Sequence, residues 1–237
     1  MSRIFVTGDI HGSQSIQKLS SRNWIEGRYL TKDDYLIILG DYGLIWHNNY
    51  TKEEEYWTNW LNDKPWTTLV CMGNHENWPR VQALPIIPMF GSHVGVIATH
   101  IFHLIRSNIY DIINKKFFVM GGATSTDKLH RIEGISWWPE EIPSYVEFDK
   151  GLDNLNNCNN TIDYIIAHTA PQSVCDVYIE YLQIFKYGGP DCMEQYLQTV
   201  IENNSFKDFY FGHWHDEWDY GKYHMRYDTI TEIILED

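Results

Sequence analysis

Short apolar runs that stop abruptly at glycine or at a ligand-type side chain limit what this chain can become. Thr68-Leu69-Val70-Cys71-Met72 runs into Gly73-Asn74-His75-Glu76, and Arg3-Ile4-Phe5-Val6-Thr7 runs into Gly8-Asp9-Ile10-His11-Gly12. Tyr35-Leu36-Ile37-Ile38-Leu39 runs into Gly40-Asp41-Tyr42-Gly43. Ile162 to Ala167 stops at His168, and Lys207 to Phe211 stops at Gly212-His213-Trp214-His215. Runs of this length, rich in β-branched and aromatic residues and bounded by turn formers, read as buried strands. A loop leaving a rigid strand is a common seat for chemistry.

The segments between the runs have helical spacing. Ser13 to Arg22 reads as a helix, with Ile16 and Leu19 on one face and Ser13 available as its cap. From Thr51 to Asp63, Thr51 caps, Glu53, Glu54 and Glu55 suit the first turn, and Tyr56, Trp57, Trp60 and Leu61 line one side. Strands and helices alternating in this way imply right-handed crossovers and parallel neighbours. Beyond Pro88 shorter strands are expected at His100 to Ile105, Ile109 to Ile113 and Lys116 to Met120, with hairpin turns at Ser107-Asn108 and Asn114-Lys115. A helix from Glu140 to about Asn157, irregular at Pro143, should end in the Asn-rich patch 154–160. Another helix fits Asp191 to Asn203, and Met225 to Leu235 suits a final strand or two. No repeat and no Pro-, Gly- or Ser-rich linker divides the sequence, so one domain over 1–237 is expected.

Parallel strands with crossover helices gather their carboxyl ends on one edge, and ligands bind there. That edge would carry Asp9, His11, Asp41, Asn74, His75, His168, His213 and His215. Oxygen and imidazole donors in this number exceed the needs of one ion. Without thiolate they suit Mn²⁺, Fe, Zn²⁺ or related ions rather than a structural zinc of the cysteine type. Two ions about 3.5–4 Å apart, bridged by one carboxylate, would use the set economically, and Asp41 is the natural bridge. His213 and His215 alternate, and alternate residues of an extended segment face the same way.

With these motifs in this order, the chain resembles the calcineurin-like metallophosphoesterases. The resemblance implies an α/β fold, a four-layer α/β/β/α sandwich with mixed sheets and metals at one edge. It implies Asp9, His11 and His215 on one ion and Asn74, His168 and His213 on the other, with Asp41 shared. His75 would then bind no metal and would protonate the leaving group. The implied cofactor is a pair of divalent ions, Mn²⁺ foremost, with Fe, Zn²⁺ and Ni²⁺ as alternatives. The second motif lacks the later aspartate and arginine of Gly-Asp-x-x-Asp-Arg-Gly, which separates the chain from protein serine/threonine phosphatases and diadenosine tetraphosphate hydrolases. Gly121-Gly122-Ala123 through Trp137-Trp138-Pro139-Glu140-Glu141 is similar to small bacterial and phage members.

The expected activity is hydrolysis of a phosphomonoester or small phosphodiester by in-line attack of a hydroxide held between the ions. A nuclease or cyclic-nucleotide phosphodiesterase on the same scaffold is the alternative, and a silent protein-interaction module is a third reading. The formal charge of −14 weighs against long nucleic acid as a partner. Arg131 and Trp138 are candidates for substrate contact, against a charged surface loop and core packing. Glu76 either orients His75 or a ligating imidazole, or is a solvated carboxylate at a helix start. Neither a membrane span nor a signal peptide is indicated. Cys71, Cys158, Cys175 and Cys192 form no C-x-x-C pair and fit free thiols in the cytoplasm.

Overall fold

The computed structural model describes residues 2–183 and 191–235, in which two mixed sheets pack face to face between helical layers. The chain runs through β1 (Ile4–Thr7), β2 (Tyr35–Ile38), α1 (Lys52–Asn62), β3 (Thr67–Val70), α2 (Trp78–Gln82), β4 (Ile86–Met89), β5 (Ser92–Ala98) and β6 (Ile101–Leu104). It continues with β7 (Asn108–Ile112), β8 (Lys115–Met120), α3 (Tyr145–Asn157), β9 (Tyr164–Ala167), α4 (Gln172–Leu182) and α5 (Cys192–Asn203). The strands β10 (Asp208–Phe211), β11 (Trp218–Tyr220), β12 (Tyr223–Met225) and β13 (Ile230–Ile233) complete it. One sheet has the order β13-β1-β2-β3-β6-β5-β4, the other β11-β12-β10-β9-β8-β7.

Alternation along the strands builds three apolar layers. Ile4, Val6, Ile37, Leu39 and Leu69 of the first sheet meet Phe117, Val119, Tyr164 and Ile166 of the second. Their neighbours Phe5, Leu36, Ile38 and Val70 point the other way, against Leu61 of α1 and Trp78 and Val81 of α2. On the far side, Phe118, Ile165, Ala167 and Phe209 pack against Leu155, Val174 and Leu197 of α3, α4 and α5. Strands buried on both faces read as unbroken apolar runs, which is why the motif strands were legible. This is the expected α/β/β/α sandwich.

Register then aligns the loops that matter. Thr7 pairs with Ile38 and Ile38 with Val70, all parallel. In the second sheet β9 and β10 are parallel, with Ile166 beside Tyr210. The carboxyl ends of these strands therefore deliver their loops together.

Several local expectations change. Ser13 to Arg22 forms no α-helix: a 3₁₀ turn covers Ile16–Leu19, and Ser13 does not cap it. Serines weaken a helix here, and Lys18 turns back to donate to the carbonyls of Gly8, Asp9 and Tyr227. Ser107-Asn108 closes no hairpin, because β6 and β7 belong to different sheets and Ser107, with φ of 68°, carries the chain across. The turn at Asn114 does close the antiparallel pair β7–β8. The helix expected from Glu140 begins only at Tyr145, where Ser144 caps it; Pro139–Glu141 is a separate 3₁₀ turn before Pro143. The strands β4, β5 and β11, at or next to sheet edges, were not expected, nor were α2 and α4. Edge strands are half exposed and lack a continuous apolar run.

Candidate metal centre

The loops arrive in strained conformations. His11, Asp41, His213 and His215 have φ of 44°, 43°, 72° and 52°, a left-handed region costing about 1–2 kcal/mol for a residue with a Cβ. Such strain persists where surrounding contacts over-determine it, and it clusters at functional sites. His213 and His215 are thus not on an extended segment, as the alternation argument supposed; each turns to a different group of ligands. Glycines make room. A Cβ on Gly40, itself at φ 121°, would overlap the His168 ring, and one on Gly73 would overlap the Asp41 carboxylate.

An outer cluster joins Asp9, His11, Asp41 and His215. Asp9 Oδ2 lies 3.1 Å from His215 Nε2 and 3.9 Å from His11 Nε2. The two imidazole Nε2 atoms are 2.9 Å apart. Asp9 is buried, whereas the His215 side chain is 47% exposed and leans on Tyr227, ring on ring at 4.7 Å. The Asp9 hydrogen bond, against a smaller opposing effect of burial, raises the His215 pKa.

An inner cluster joins Asp41, His168 and His213, with Asn74 beside them. His168 Nε2 is 2.9 Å from Asn74 Oδ1 and 3.2 Å from Asp41 Oδ1. Its other nitrogen, Nδ1, lies 2.8 Å from the Leu39 carbonyl, which fixes the tautomer and leaves Nε2 for the cluster. Burial opposes charge on His168, yet Asp41 and Asp9 outweigh it and hold its pKa up at about 10. Burial, reinforced by His168, pushes His213 down to about 4. Burial also works against charge on Asp41, but His168 prevails and keeps the carboxyl well below the usual range.

Both clusters fit cations. Donor atoms near 3 Å from one another match adjacent corners around an ion with bonds of about 2.1 Å. Each cluster mixes carboxylate or amide oxygen with imidazole and contains no thiolate, a set for Mn²⁺, Fe or Zn²⁺. Asp41 presents Oδ1 to His168 and Oδ2 to His11, the latter at 3.7 Å. One carboxylate thus faces both groups.

His75 stands beside the shared Asp41, with its ring edge-on to His11 of the outer cluster at 4.9 Å. Its backbone N–H donates to Asp41 Oδ1 at 2.8 Å, its ring stacks on Trp46 at 5.6 Å, and its Nε2 accepts from Arg131 Nη2 at 2.8 Å. Burial pushes its pKa down to about 4, with Asp41 opposing and Arg131 reinforcing. Arg131 is braced by Asp127 and by the Ser136 carbonyl. A cavity of about 320 Å³ opens beside these residues, lined by His11, His75, Trp46, Arg131 and Glu53. Trp138 is 3% exposed and meets Trp46 edge-on, so it backs the cavity wall through Trp46.

Neither expectation for Glu76 holds. It is fully buried and accepts the backbone N–H groups of Tyr42, Gly43 and Gly73, tying the second and third motif loops together without orienting an imidazole. Other supports went unnoticed in the sequence. Lys18 locks the Asp9 and Tyr227 backbones, and burial pushes its pKa down to about 8 against the pull of Asp9. Glu54, read as a helix-start charge, forms a capping box with Thr51. It also accepts the N–H groups of Trp46 and His47, holding the cavity wall. Ser125 bonds Asn74 and Glu141, and nothing in its local sequence marked it.

Residues 2–217 match the family model for calcineurin-like phosphoesterases. The chain therefore belongs to that family, whose members hydrolyse phosphoesters with metal ions. No curated protein matches it. Among the described residues no helix is long and apolar enough to cross a membrane, and all four cysteines are unbridged.

Proposed function

We propose that this chain is a phosphoesterase that holds two divalent cations and hydrolyses a phosphomonoester or small phosphodiester. The observation that carries this is Asp41, whose two oxygens face two ligand clusters. Asp9, His11 and His215 would hold one ion and Asn74, His168 and His213 the other, with Asp41 shared. Bound there, cations acidify water and neutralise phosphate oxygens; Mn²⁺ is the first candidate. The net charge of −14 is then offset locally.

The residues around the ions would do the remaining work. Arg131 aims its guanidinium fork into the cavity, where a phosphate is a stronger acceptor than the imidazole it now meets. A substrate that draws Arg131 away removes a cation that holds the His75 pKa down and frees Nε2, which would then take up a proton from solvent and pass it to the departing oxygen. Trp46, stacked on His75, holds that ring in its plane. A cavity of about 320 Å³ suits a small leaving group. The chain would work as one domain over 1–237, in a compartment that keeps its thiols reduced.

The test is metal content and turnover of the purified protein with Mn²⁺, on chromogenic monoester and diester substrates. Two ions per chain and hydrolysis of at least one substrate are expected. No bound ion, or no turnover with any divalent cation across nucleotide, sugar-phosphate and diester panels, would overturn the proposal.

A further inference from the structure

An asparagine ligand poses a problem that an aspartate does not. The two ends of its amide have nearly the same shape, but only the oxygen can bind a cation, while the NH₂ end repels one. Something must decide which end faces the inner cluster. Asn74 is 3% exposed, so water does not decide it.

A buried chain of hydrogen bonds does. Asn74 Nδ2 donates to Ser125 Oγ at 3.0 Å. Ser125 in turn donates twice to one carboxylate: its hydroxyl to Glu141 Oε2 at 2.6 Å and its N–H to Glu141 Oε1 at 2.8 Å. A serine hydroxyl has one proton. With that proton committed to Glu141, Oγ offers Asn74 only lone pairs and can accept but not donate. The amide must present its NH₂ to Ser125 and its oxygen to the inner cluster, where Oδ1 lies 2.9 Å from His168 Nε2.

The chain is anchored at its far end. Ser125 and Glu141 are each 1% exposed. Arg106 donates to the Glu140 carbonyl at 3.0 Å and pairs with Glu147 at 2.7 Å, pinning the 3₁₀ turn that carries Glu141. Gly122 N–H bonds the Met72 carbonyl, and a Cβ on Gly122 would overlap the Glu141 carbonyl. The 121–125 loop is thereby held between Met72, just after β3, and that turn.

We propose that Ser125 and Glu141 are positioning residues that commit the Asn74 amide oxygen to the inner ion. This rests on Asn74 being a ligand, as proposed above. Residues that orient a metal ligand from behind are typically worth about 10–100-fold in metal affinity.

Mn²⁺ titration of the full chain, followed by calorimetry and by the electron paramagnetic resonance of free Mn²⁺, separates the outcomes. Ser125→Ala should weaken one of the two ions about 10–100-fold and leave the other unchanged. Glu141→Gln, which keeps the volume, should do the same and covers the case in which Ser125→Ala does not fold. Ser125→Thr, which keeps the hydroxyl, should restore wild-type affinity. In an Asn74→Asp background the ligand has two equivalent oxygens, so adding Ser125→Ala should cost little further affinity. Unchanged affinity in both Ser125→Ala and Glu141→Gln would overturn the proposal. So would an equal loss with and without Asn74→Asp, which marks a purely structural role. A wild-type protein that binds fewer than two ions, or an Asn74→Ala variant that binds both normally, would instead remove the two-ion reading beneath it.

Discussion

The two ligand clusters share Asp41 but are built differently. In the outer one, Asp9 is buried while the His215 side chain is 47% exposed and leans on the Tyr227 ring. In the inner one, Asp41, Asn74 and His168 are all at most 3% exposed, and each is held from behind. His168 is held by the Leu39 carbonyl, Asn74 by Ser125, and Asp41 by the His75 N–H. Burial with satisfied partners preorganises ligands, whereas exposed ligands must be ordered by the ion itself. On the two-ion proposal, an ion in the inner cluster should therefore exchange slowly, and one in the outer cluster should come and go.

The largest expected effect is that of Asp41→Asn, which weakens the one ligand common to both clusters. Metal analysis should find both ions depleted and turnover near background. Retention of either ion at full occupancy would show that the clusters do not depend on a common carboxylate.

Next in size is His75→Ala, expected to lower kcat by about 10²–10⁴-fold while both ions stay bound. Metal loss as severe as in Asp41→Asn would place His75 among the ligands and redraw the boundary between the clusters.

A paired comparison sharpens the contrast. His215→Ala should reduce metal content from two ions to one while changing thermal stability by less than about 0.5 kcal/mol, as an exposed side chain would. His168→Ala should also lose one ion, and in addition destabilise the fold by about 2–5 kcal/mol, because it empties a fully buried site. Equal stability losses in calorimetric unfolding would mean that the difference in burial carries no energetic weight. Brief chelation should likewise strip one ion well before the other; simultaneous loss would contradict the inner–outer distinction.

The smallest effect is that of Tyr227→Ala. Removing a ring stacked at 4.7 Å on His215 should weaken the outer ion by only a few-fold, in line with about 0.5–1 kcal/mol for such a contact. Equal weakening of both ions would show that Tyr227 supports the whole edge through Lys18, not His215 alone.

Much of this was legible in the residues. The strands leading to Asp9, Asp41, Asn74, His168 and His213 announced themselves because strands buried on both faces must be apolar throughout. The α1 helix was equally plain, since Thr51 and Glu54 mark its start and its apolar side is periodic. Failures came where local pattern and long-range contact disagreed. Ser13 to Arg22 has helical spacing, but Lys18 is drawn away to carbonyls at Gly8, Asp9 and Tyr227. Ser107-Asn108 looks like a hairpin turn and instead passes the chain between sheets. Glu76 looked like a partner for a histidine and instead binds three backbone N–H groups.

The sequence by itself determined the layered α/β class, the strand ends that bear ligands, and the identity of nearly all candidate ligands, because strand periodicity and ligand chemistry are local properties. Tertiary structure decided which ligand sits with which. His213 and His215, two residues apart, diverge to different clusters because both adopt left-handed backbone, a conformation imposed by their surroundings. It also decided why Gly73 must be glycine, since the obstacle is the Asp41 carboxylate delivered by another strand. The orientation of Asn74 likewise depends on Ser125 and Glu141, far along the chain. Hydrogen bonds and steric clearance act through space, and their partners are known only once the chain has folded.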